Sequence, residues 1–448
     1  MKSVVLAACC LCGAVALTAE MEGQAPKPPA TQGSSMDTIA EQYVKLVLAM
    51  GQHDADYVDA YYGPQEWKKD AETTKLDLDA IGSRARALTA DLDREGQSGQ
   101  PAGGGGASDE MSRLRLQYLE RQLSALSARV RILKGERFSF DEESKALYDA
   151  VAPTYPESHF QEILERLEKR FPGTGPLVER YAGYRRAFII PRDKLDPVFQ
   201  RAIQACRERT LQHVKLPAGE EFTVGYVTNK SWSGYNWYQG SYRSLIQVNT
   251  DLPIYVDRAI DLACHEGYPG HHVYNALLEK SLVKDRGWIE YTVYPLFSPQ
   301  SLIAEGTANF GIEVAFPGKE RAEFEKATIF PAAGVDPAKA AEYYEVQALV
   351  DQLSYAGNEA ARRYLNKQID ASQAATWLER YALMQHDRAV QRVRFVDQYR
   401  SYVINYNLGK DMVRRYIESR GGTANAPAKR WAEFEALLSS PRLPSGLK

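Results

Sequence analysis

Residues 265–272, with the sequence HEGYPGHH, constrain this 448-residue chain more than any other segment. Three of the seven histidines of the chain fall within it, and Glu266 directly follows the first of them. Imidazoles are the commonest zinc ligands, and a carboxylate beside an activated water is the usual base for hydrolysis. The segment therefore indicates a variant of the HExxH zinc-hydrolase motif with extra residues between the histidines.

The spacing of these histidines does not fit a straight helix. His271 and His272 follow His265 at six and seven residues; the first would lie about 240° around an ideal helix, and the second about 10 Å along it. Pro269 lacks the N–H that continues a helix, and Gly270 accepts unusual backbone angles. We predict that these two residues bulge the helix and bring His271 to the second ligand position. His272 is the alternative second ligand, or else bonds substrate or orients a ligand.

A third metal ligand is expected from elsewhere in the chain. Glu305 is the best candidate, because it lies in an apolar segment of small residues (301–310) where a carboxylate needs a metal or a cation as partner. Gly306 and Ala308 would let this helix approach the first one closely. Glu313 is the fallback ligand. Two histidines, one glutamate and an open fourth position are typical of a catalytic zinc site rather than a structural one.

The remaining chemistry needs a base and an electrophilic partner. Glu266 is the predicted general base, which takes a proton from a zinc-bound water and passes it to the leaving amine. The C-terminal helix offers four side chains that could stabilise a tetrahedral intermediate: Arg400, Tyr402, Tyr406 and Arg414. A packed or solvated role is the alternative for each. The other histidines lack clustered partners and are interpreted as ordinary surface or core residues: His53, His159, His213 and His386.

At these residues the chain resembles a bacterial family catalogued as domain of unknown function 885. HEGYPGHH is similar to its HExxPGHH motif, residues 303–308 (IAEGTA) to its EGWA-type helix, and residues 406–409 (YNLG) to its late Tyr-x-x-Gly segment. The three matches occur in order within roughly residues 255–415. Thr307 departs from the family, which usually has an aromatic residue there. Residues 37–220 match only by their helical character.

This resemblance implies a mostly helical, zincin-like metallopeptidase fold that is distantly similar to the carboxypeptidase Taq type. It also implies that zinc is bound by His265, His271 and Glu305, that Glu266 is the base, and that Tyr406 faces the site. It does not imply a particular peptide specificity.

Hydrophobic periodicity independently predicts a mostly α fold, with a small β-sheet next to the metal-binding helix. Alternating and β-branched residues predict strands at 222–227 and 244–249. The aromatic, glycine-rich segment between them is either a packed hairpin loop or a flap that lines a substrate site. Helical spacing then returns to the end of the chain, with long helices predicted at roughly 254–280 and 386–419.

The N-terminus has the features of an export signal. Lys2 precedes an apolar run, and residues 14–16 (AVA) offer a cleavage site. The run before Cys9 is short for a lipoprotein signal, so periplasmic export is favoured over lipoprotein anchoring. A start codon at Met21 or Met36 is the alternative. The predicted organisation is a signal peptide at 1–19, a disordered linker at 20–36, an N-terminal helical region at 37–220, and a catalytic region with the sheet and metal site at 221–448.

Composition excludes two classes of partner. The net charge of -3 and pI of about 6.2 provide no electrostatic basis for nucleic-acid binding. No later segment has about 18 uninterrupted apolar residues, so stable membrane insertion is not expected. After signal removal only Cys206 and Cys264 remain, which allows one disulfide. Cys264 is interpreted as a small buried residue rather than a thiolate ligand.

The leading hypothesis is a zinc-dependent peptide hydrolase, such as a carboxypeptidase or a dipeptidase. A metal-dependent hydrolase of another amide or ester is the second hypothesis. The third is a non-catalytic helical binding protein with a structural metal site, against which Glu266 argues, because a structural site needs no base.

Overall fold

The computed structural model describes residues 35–98 and 107–447 and is mostly helical, as predicted. The predicted signal peptide and nearly all of the predicted linker lie outside these residues, as does the glycine-rich sequence of residues 99–106. The N-terminal region contains eight α-helices within the described residues. They are α1 (Ser35–Met50), α2 (Gln65–Thr74), α3 (Leu78–Ser98), α4 (Ala107–Leu133), α5 (Phe140–Tyr148), α6 (Glu157–Arg170), α7 (Leu177–Arg185) and α8 (Leu195–Leu211).

The second half contains the helices that surround the histidine motif. They are α9 (Asp257–Leu262), α10 (His271–Leu278), α11 (Pro299–Ala315), α12 (Glu320–Phe324), α13 (Phe330–Ala333), α14 (Ala340–Val350), α15 (Ala356–Leu365), α16 (Ala371–Tyr381), α17 (His386–Tyr399), α18 (Ile404–Ser419) and α19 (Pro427–Leu438). No helix of the described segments is long and apolar enough to cross a membrane.

The sheet next to the motif has three strands rather than the two predicted. They are β2 (Glu221–Val227), β3 (Gly234–Gly240) and β4 (Arg243–Asn249). The central strand β4 pairs in parallel with β2 and antiparallel with β3. The aromatic segment is therefore mainly an edge strand, which neither alternative for it foresaw. A separate two-stranded ribbon, β1 (Val58–Tyr61) with β5 (Val293–Pro295), was not predicted.

Both long helices predicted in the second half are interrupted. The segment 254–280 breaks at the histidine motif, as described below. The segment 386–419 breaks at Arg400, whose φ of 53° lies in the left-handed region. Buried Glu143 holds this break, because it accepts hydrogen bonds from Arg400 Nε at 2.6 Å and from Ser401 Oγ at 2.7 Å. Helical periodicity continues through such a break, so the sequence pattern does not reveal it.

One hydrophobic core joins the two predicted regions. It includes Tyr43 and Leu123 from the N-terminal helices together with Val273, Phe310 and Leu408 from the second half. A smaller core around Phe160 and Trp377 packs α6 against α16. The boundary predicted at residue 220 therefore does not separate two cores, and that division stays a prediction about sequence organisation.

The two helices that carry the late motifs approach each other closely. A Cβ built on Gly306 in α11 would lie 2.5 Å from the backbone carbon of Gly409 in α18. A Cβ on Gly409 would lie 2.7 Å from the carbonyl oxygen of Leu302. Gly306 therefore serves an approach to α18, rather than to the helix of the histidine motif as expected. Glycine at both positions lets the two backbones touch.

We expect Gly409→Ala to destabilise the protein although alanine favours helices. The added methyl group meets backbone atoms that cannot rotate away, and such overpacking costs about 1–3 kcal/mol. Gly357→Ala in α15 is the matched control, since a Cβ built on Gly357 would meet no neighbouring atom within 4 Å. Denaturant unfolding of both variants measures the effect, and a Gly409→Ala protein as stable as the control would contradict the close packing.

Candidate metal centre

The histidine motif interrupts its helix through a widened turn followed by a short non-helical segment. α9 continues into a π-helical turn at Ala263–Gly267, the chain then leaves the helix, and α10 begins at His271. Gly270 lies so close to the preceding turn that a Cβ there would be 1.9 Å from the His265 carbonyl oxygen. Its N–H donates to the Cys264 carbonyl at 2.9 Å. Only glycine fits this fold-back, so the break is sharper than the predicted bulge but has the same effect.

The fold-back brings His265, His271 and Glu305 together. The two Nε2 atoms are 3.1 Å apart, and Glu305 Oε2 lies 3.2 Å from His265 Nε2 and 3.8 Å from His271 Nε2. Glu305 comes from the middle of α11, which packs beside the motif. Three potential ligand atoms from two separate segments thus face one point.

These three residues fit a metal ion. Two ligands at 2.0–2.1 Å from a tetrahedral zinc are separated by about 3.3 Å, which is close to the observed 3.1 and 3.2 Å and shorter than the observed 3.8 Å. Glu305 Oε2 is buried and has no hydrogen-bond partner, a state that burial makes costly for a carboxylate oxygen. A cation at the centre of the triangle would satisfy that oxygen. The three residues can therefore hold a metal ion.

Electrostatic conditions differ between the two histidines. Burial lowers the pKa of His271 to about 4, which favours the neutral imidazole that binds metals. Burial also acts to lower the pKa of His265, but the contact with the Glu305 carboxylate and the charge of Glu266 outweigh it and raise the pKa. Burial tends to raise the pKa of Glu305, yet the two histidines and Tyr402 hold it below its usual value. The third ligand is therefore ionised.

His272 lies in a different environment. Its Nδ1 is 2.9 Å from Ser244 Oγ and its Nε2 is 3.0 Å from Glu220 Oε2, and the side chain is fully buried. The ring also stands edge-on to Phe222 of β2. Both of its nitrogens are thus occupied on the sheet side of α10. Of the two alternatives for the second ligand, the structure places His271 at the cluster and His272 away from it.

Glu266 is buried beside the cluster, and no other side chain forms a hydrogen bond or an ion pair with it among the described residues. Its carboxylate makes no hydrogen bond to any residue that the structure describes, and burial raises its pKa to about 7. A Cβ built on Gly234, the first residue of β3, would lie 2.7 Å from Glu266 Oε1. Asn236 Nδ2 donates to the Glu266 carbonyl at 2.7 Å. The edge strand therefore lies directly against the candidate base.

The four side chains considered as electrophilic partners separate into two groups. Tyr402 donates its hydroxyl to Glu305 Oε1 at 2.8 Å, and the ring of Tyr406 lies 5.8 Å from the ring of Tyr402. The hydroxyl of Tyr406 makes no hydrogen bond to a described residue, and burial followed by the charge of Glu305 raises its pKa. Arg400, by contrast, pairs with Glu143 as described above.

The fallback ligand Glu313 is also engaged elsewhere. It pairs with Lys410 at 2.7 Å and accepts a hydrogen bond from Arg414 Nε at 3.3 Å. Burial is offset by these two cations, which hold the pKa of Glu313 below its usual value. Glu313 and Arg414 therefore form an ion-pair group on α11 and α18, apart from the metal cluster.

Sequence reasoning missed one acidic residue near the cluster. Asp59 lies on β1, a four-residue strand whose sequence gives no clear alternation. Burial raises the pKa of Asp59 to about 7, although a hydrogen bond from the Tyr235 hydroxyl acts to lower it. The negative charge of Glu305 raises this pKa further. Asp59 lines a cavity of about 400 Å³ together with Asp56, Trp232 and other residues.

The two cysteines form a disulfide. Cys206 in α8 is bonded to Cys264 in the π-helical turn. Cys264 is buried, as predicted, and it is also bonded covalently to α8 at the position next to His265, a candidate metal ligand. The thiolate is accordingly not available as a ligand.

Comparisons with known proteins leave the family open. No sequence model of a protein family matches the chain, and no curated protein matches it. A predicted lipoprotein from Colwellia psychrerythraea is similar in structure with a TM-score of 0.49 and 14% identity, over 94% of this chain and 75% of that chain. The crystal structure named BsuCP is similar with a TM-score of 0.43 and 11% identity, over 90% of this chain and 87% of that chain. A predicted lipoprotein of unknown function from Shewanella oneidensis is similar with a TM-score of 0.43 and 14% identity, over 85% of this chain and 75% of that chain.

At these TM-scores no property is carried over from the three structures. The resemblance to the domain of unknown function 885 family stays a prediction.

We expect His271→Ala to lose stoichiometric metal binding and His272→Gln to retain it. The first variant removes a nitrogen that faces the cluster, whereas the second changes hydrogen bonds to Ser244 and Glu220. Metal content after dialysis, measured by elemental analysis, separates the two. A metal-free His272→Gln protein that is still folded would contradict the assignment.

Tyr402→Phe should weaken metal binding without abolishing it. The hydroxyl orients Glu305, and loss of such a partner typically lowers metal affinity about 10- to 100-fold. Competition with a chromophoric chelator measures the change. Tyr344→Phe serves as the control, because its buried hydroxyl makes no hydrogen bond to a described residue. Equal affinities in the two variants would show that Tyr402 does not orient the ligand.

Proposed function

We propose that this protein is a zinc-dependent peptide hydrolase. The observation that carries the proposal is the buried carboxylate oxygen Oε2 of Glu305, which has no hydrogen bond and faces two imidazole nitrogens. The carboxylate of Glu266 lies beside this group and makes no hydrogen bond to a described residue. Two nitrogen donors and one oxygen donor are a set that suits zinc, and three protein ligands leave one position for water or substrate. A zinc ion bound there supplies Lewis acidity that polarises a carbonyl group and activates water.

The chain supplies the proton transfers and the orientation. Glu266 accepts a proton from the attacking water and returns it to the departing amine, a task for which its buried and unpaired carboxylate is suited. Tyr406 donates its free hydroxyl to the carbonyl oxygen as negative charge develops there. Tyr402 holds Glu305 in place rather than contacting substrate.

The edge strand β3 favours a peptide over another amide or an ester. It is the outer strand of its sheet, so one row of its backbone N–H and C=O groups points away from β4. An extended peptide can pair with such an edge through main-chain hydrogen bonds. Because Gly234 of this strand contacts Glu266, a peptide paired there would run past the candidate base.

The disulfide supports the predicted export. Disulfides persist in oxidising compartments such as the periplasm and are rare in the cytosol. The bond between Cys206 and Cys264 joins buried residues of the folded core. We therefore propose that the hydrolase acts outside the cytosol.

Glu266→Gln should keep zinc and lose peptide cleavage. The amide cannot accept the proton, so we expect kcat to fall about 10²- to 10⁴-fold. Turnover of a mixed peptide library, followed by mass spectrometry, is measured beside the zinc content. Glu221→Gln, an exposed change on β2, is the control.

Two results would contradict this proposal. Undiminished cleavage by a zinc-loaded Glu266→Gln protein would remove the assigned base. A wild-type protein that binds zinc but cleaves no peptide would contradict the hydrolase and favour the third hypothesis, a non-catalytic binding protein with a structural metal site.

A further inference from the structure

A second cavity opens beside the metal centre and is lined by arginines. It has a volume of about 110 Å³ and lies between α9, α17 and the connection from β2 to β3. Arg185, Arg258 and Arg388 line it, and we call these three residues and the space between them the arginine pocket. Leu262 forms part of the wall, and its Cδ2 would lie 2.8 Å from a Cβ on Gly234. The same Cβ would contact Glu266, so the pocket adjoins the candidate base.

The positive charge of this pocket is only partly neutralised. Arg258 pairs with Asp261 at 3.0 Å, and Arg185 lies 3.5 Å from Asp257. Arg388 makes no hydrogen bond or ion pair with any residue that the structure describes. A half-buried guanidinium normally finds a carboxylate or carbonyl partner, because its five donors are costly to leave unmatched. Arg388 therefore has donors free for a ligand.

Another unpaired arginine extends the positive charge toward the metal centre. Arg392 lies one helical turn after Arg388, on the same face of α17. It makes no ion pair with a described residue, and it interacts electrostatically with Tyr406, whose hydroxyl was assigned above to the substrate carbonyl. The two arginines thus connect the pocket with the reactive groups.

Electrostatics agree with this geometry. Burial, followed by the charges of Arg258 and Arg185, lowers the pKa of Arg388 to about 10. Burial also lowers the pKa of Arg392, with Arg258 adding to the effect. Like charges held together in this way repel one another, and an anion bound among them would relieve the repulsion.

We propose that the arginine pocket binds the free C-terminal carboxylate of a peptide substrate. The inference rests on the proposed peptide hydrolysis and specifies its substrate class, namely peptides cleaved near an unblocked C-terminus. Arginine pairs with a carboxylate through two parallel hydrogen bonds, which fixes both position and orientation. The carboxylate in the pocket would hold the nearby peptide bond beside Glu266.

The test compares one peptide in two forms. An acetylated tripeptide with uncharged side chains is offered to the zinc-loaded protein as the free acid and as the C-terminal amide. We expect kcat/KM for the acid to exceed that for the amide by about 10-fold or more, the effect of hydrogen bonds to a charged group. Binding of both forms to Glu266→Gln, measured by calorimetry, should show the same preference without turnover.

Arg388→Met should abolish most of this preference. We expect the ratio of kcat/KM for acid over amide to fall about 10-fold, mainly through KM for the acid. Arg394→Met is the matched control, since Arg394 is exposed on the same helix and makes no ion pair with a described residue. Zinc content and unfolding of Arg388→Met are checked first. Removing one of several mutually repelling charges is not expected to unfold the protein.

The possible failures are distinguishable. If neither form is cleaved, peptide hydrolysis itself fails. If both forms are cleaved equally, hydrolysis stands and the arginine pocket is not a carboxylate site. A third peptide, an amide whose last residue is glutamate, tests the alternative source of a carboxylate. Cleavage of that peptide as fast as the free acid would overturn the C-terminal assignment in favour of an acidic side chain.

Discussion

The arrangement of this site depends on one backbone contact, the approach of Gly270 to the carbonyl of His265. That contact accommodates the break between the π-helical turn and α10. It allows the Nε2 atoms of His265 and His271 to lie 3.1 Å apart. A side chain at position 270 would occupy the space of the carbonyl oxygen, so the fold-back and the histidine pair cannot exist without glycine there. Pro269, which removes a helical hydrogen bond just before it, makes the departure from the helix less costly.

A second constraint is the burial of negative charge. Glu266, Glu305 and Asp59 lie close enough to influence one another; the two glutamates are buried and Asp59 is half-buried. Such a group is unfavourable unless protons, hydrogen bonds or a cation compensate it. Tyr402 compensates one oxygen of Glu305 and leaves the other to the two histidines. The surroundings thus favour a cation at the cluster.

How far the sequence predicts this protein depends on how local each feature is. The mostly helical fold and the meeting of His265, His271 and Glu305 follow from periodicity, from residue chemistry and from the presence of Pro269 and Gly270. The choice of His271 over His272 remained open because it depends on Ser244 and Glu220, which reach His272 only in the folded chain.

Features that depend on distant partners were missed. The break at Arg400 is held by Glu143, 257 residues earlier in the chain. Strand β1 is recognisable only through its partner β5, and Asp59 gains its position from that pairing. The grouping of Arg258 and Arg388 likewise arises when α17 packs near α9. None of these leaves a periodic signal in its own segment.

The contact between Gly306 and Gly409 has a consequence for how this protein could evolve or be improved. A glycine inside a helix costs roughly 1 kcal/mol of helix stability relative to alanine, and this chain accepts that cost in two facing helices. Gly306 adjoins the ligand Glu305, and Gly409 lies three residues after Tyr406. Local helix stability is therefore given up for the close spacing of α11 and α18, which carry Glu305 and Tyr406. A larger residue at either glycine would push the two helices apart, so stabilising changes have to be sought elsewhere.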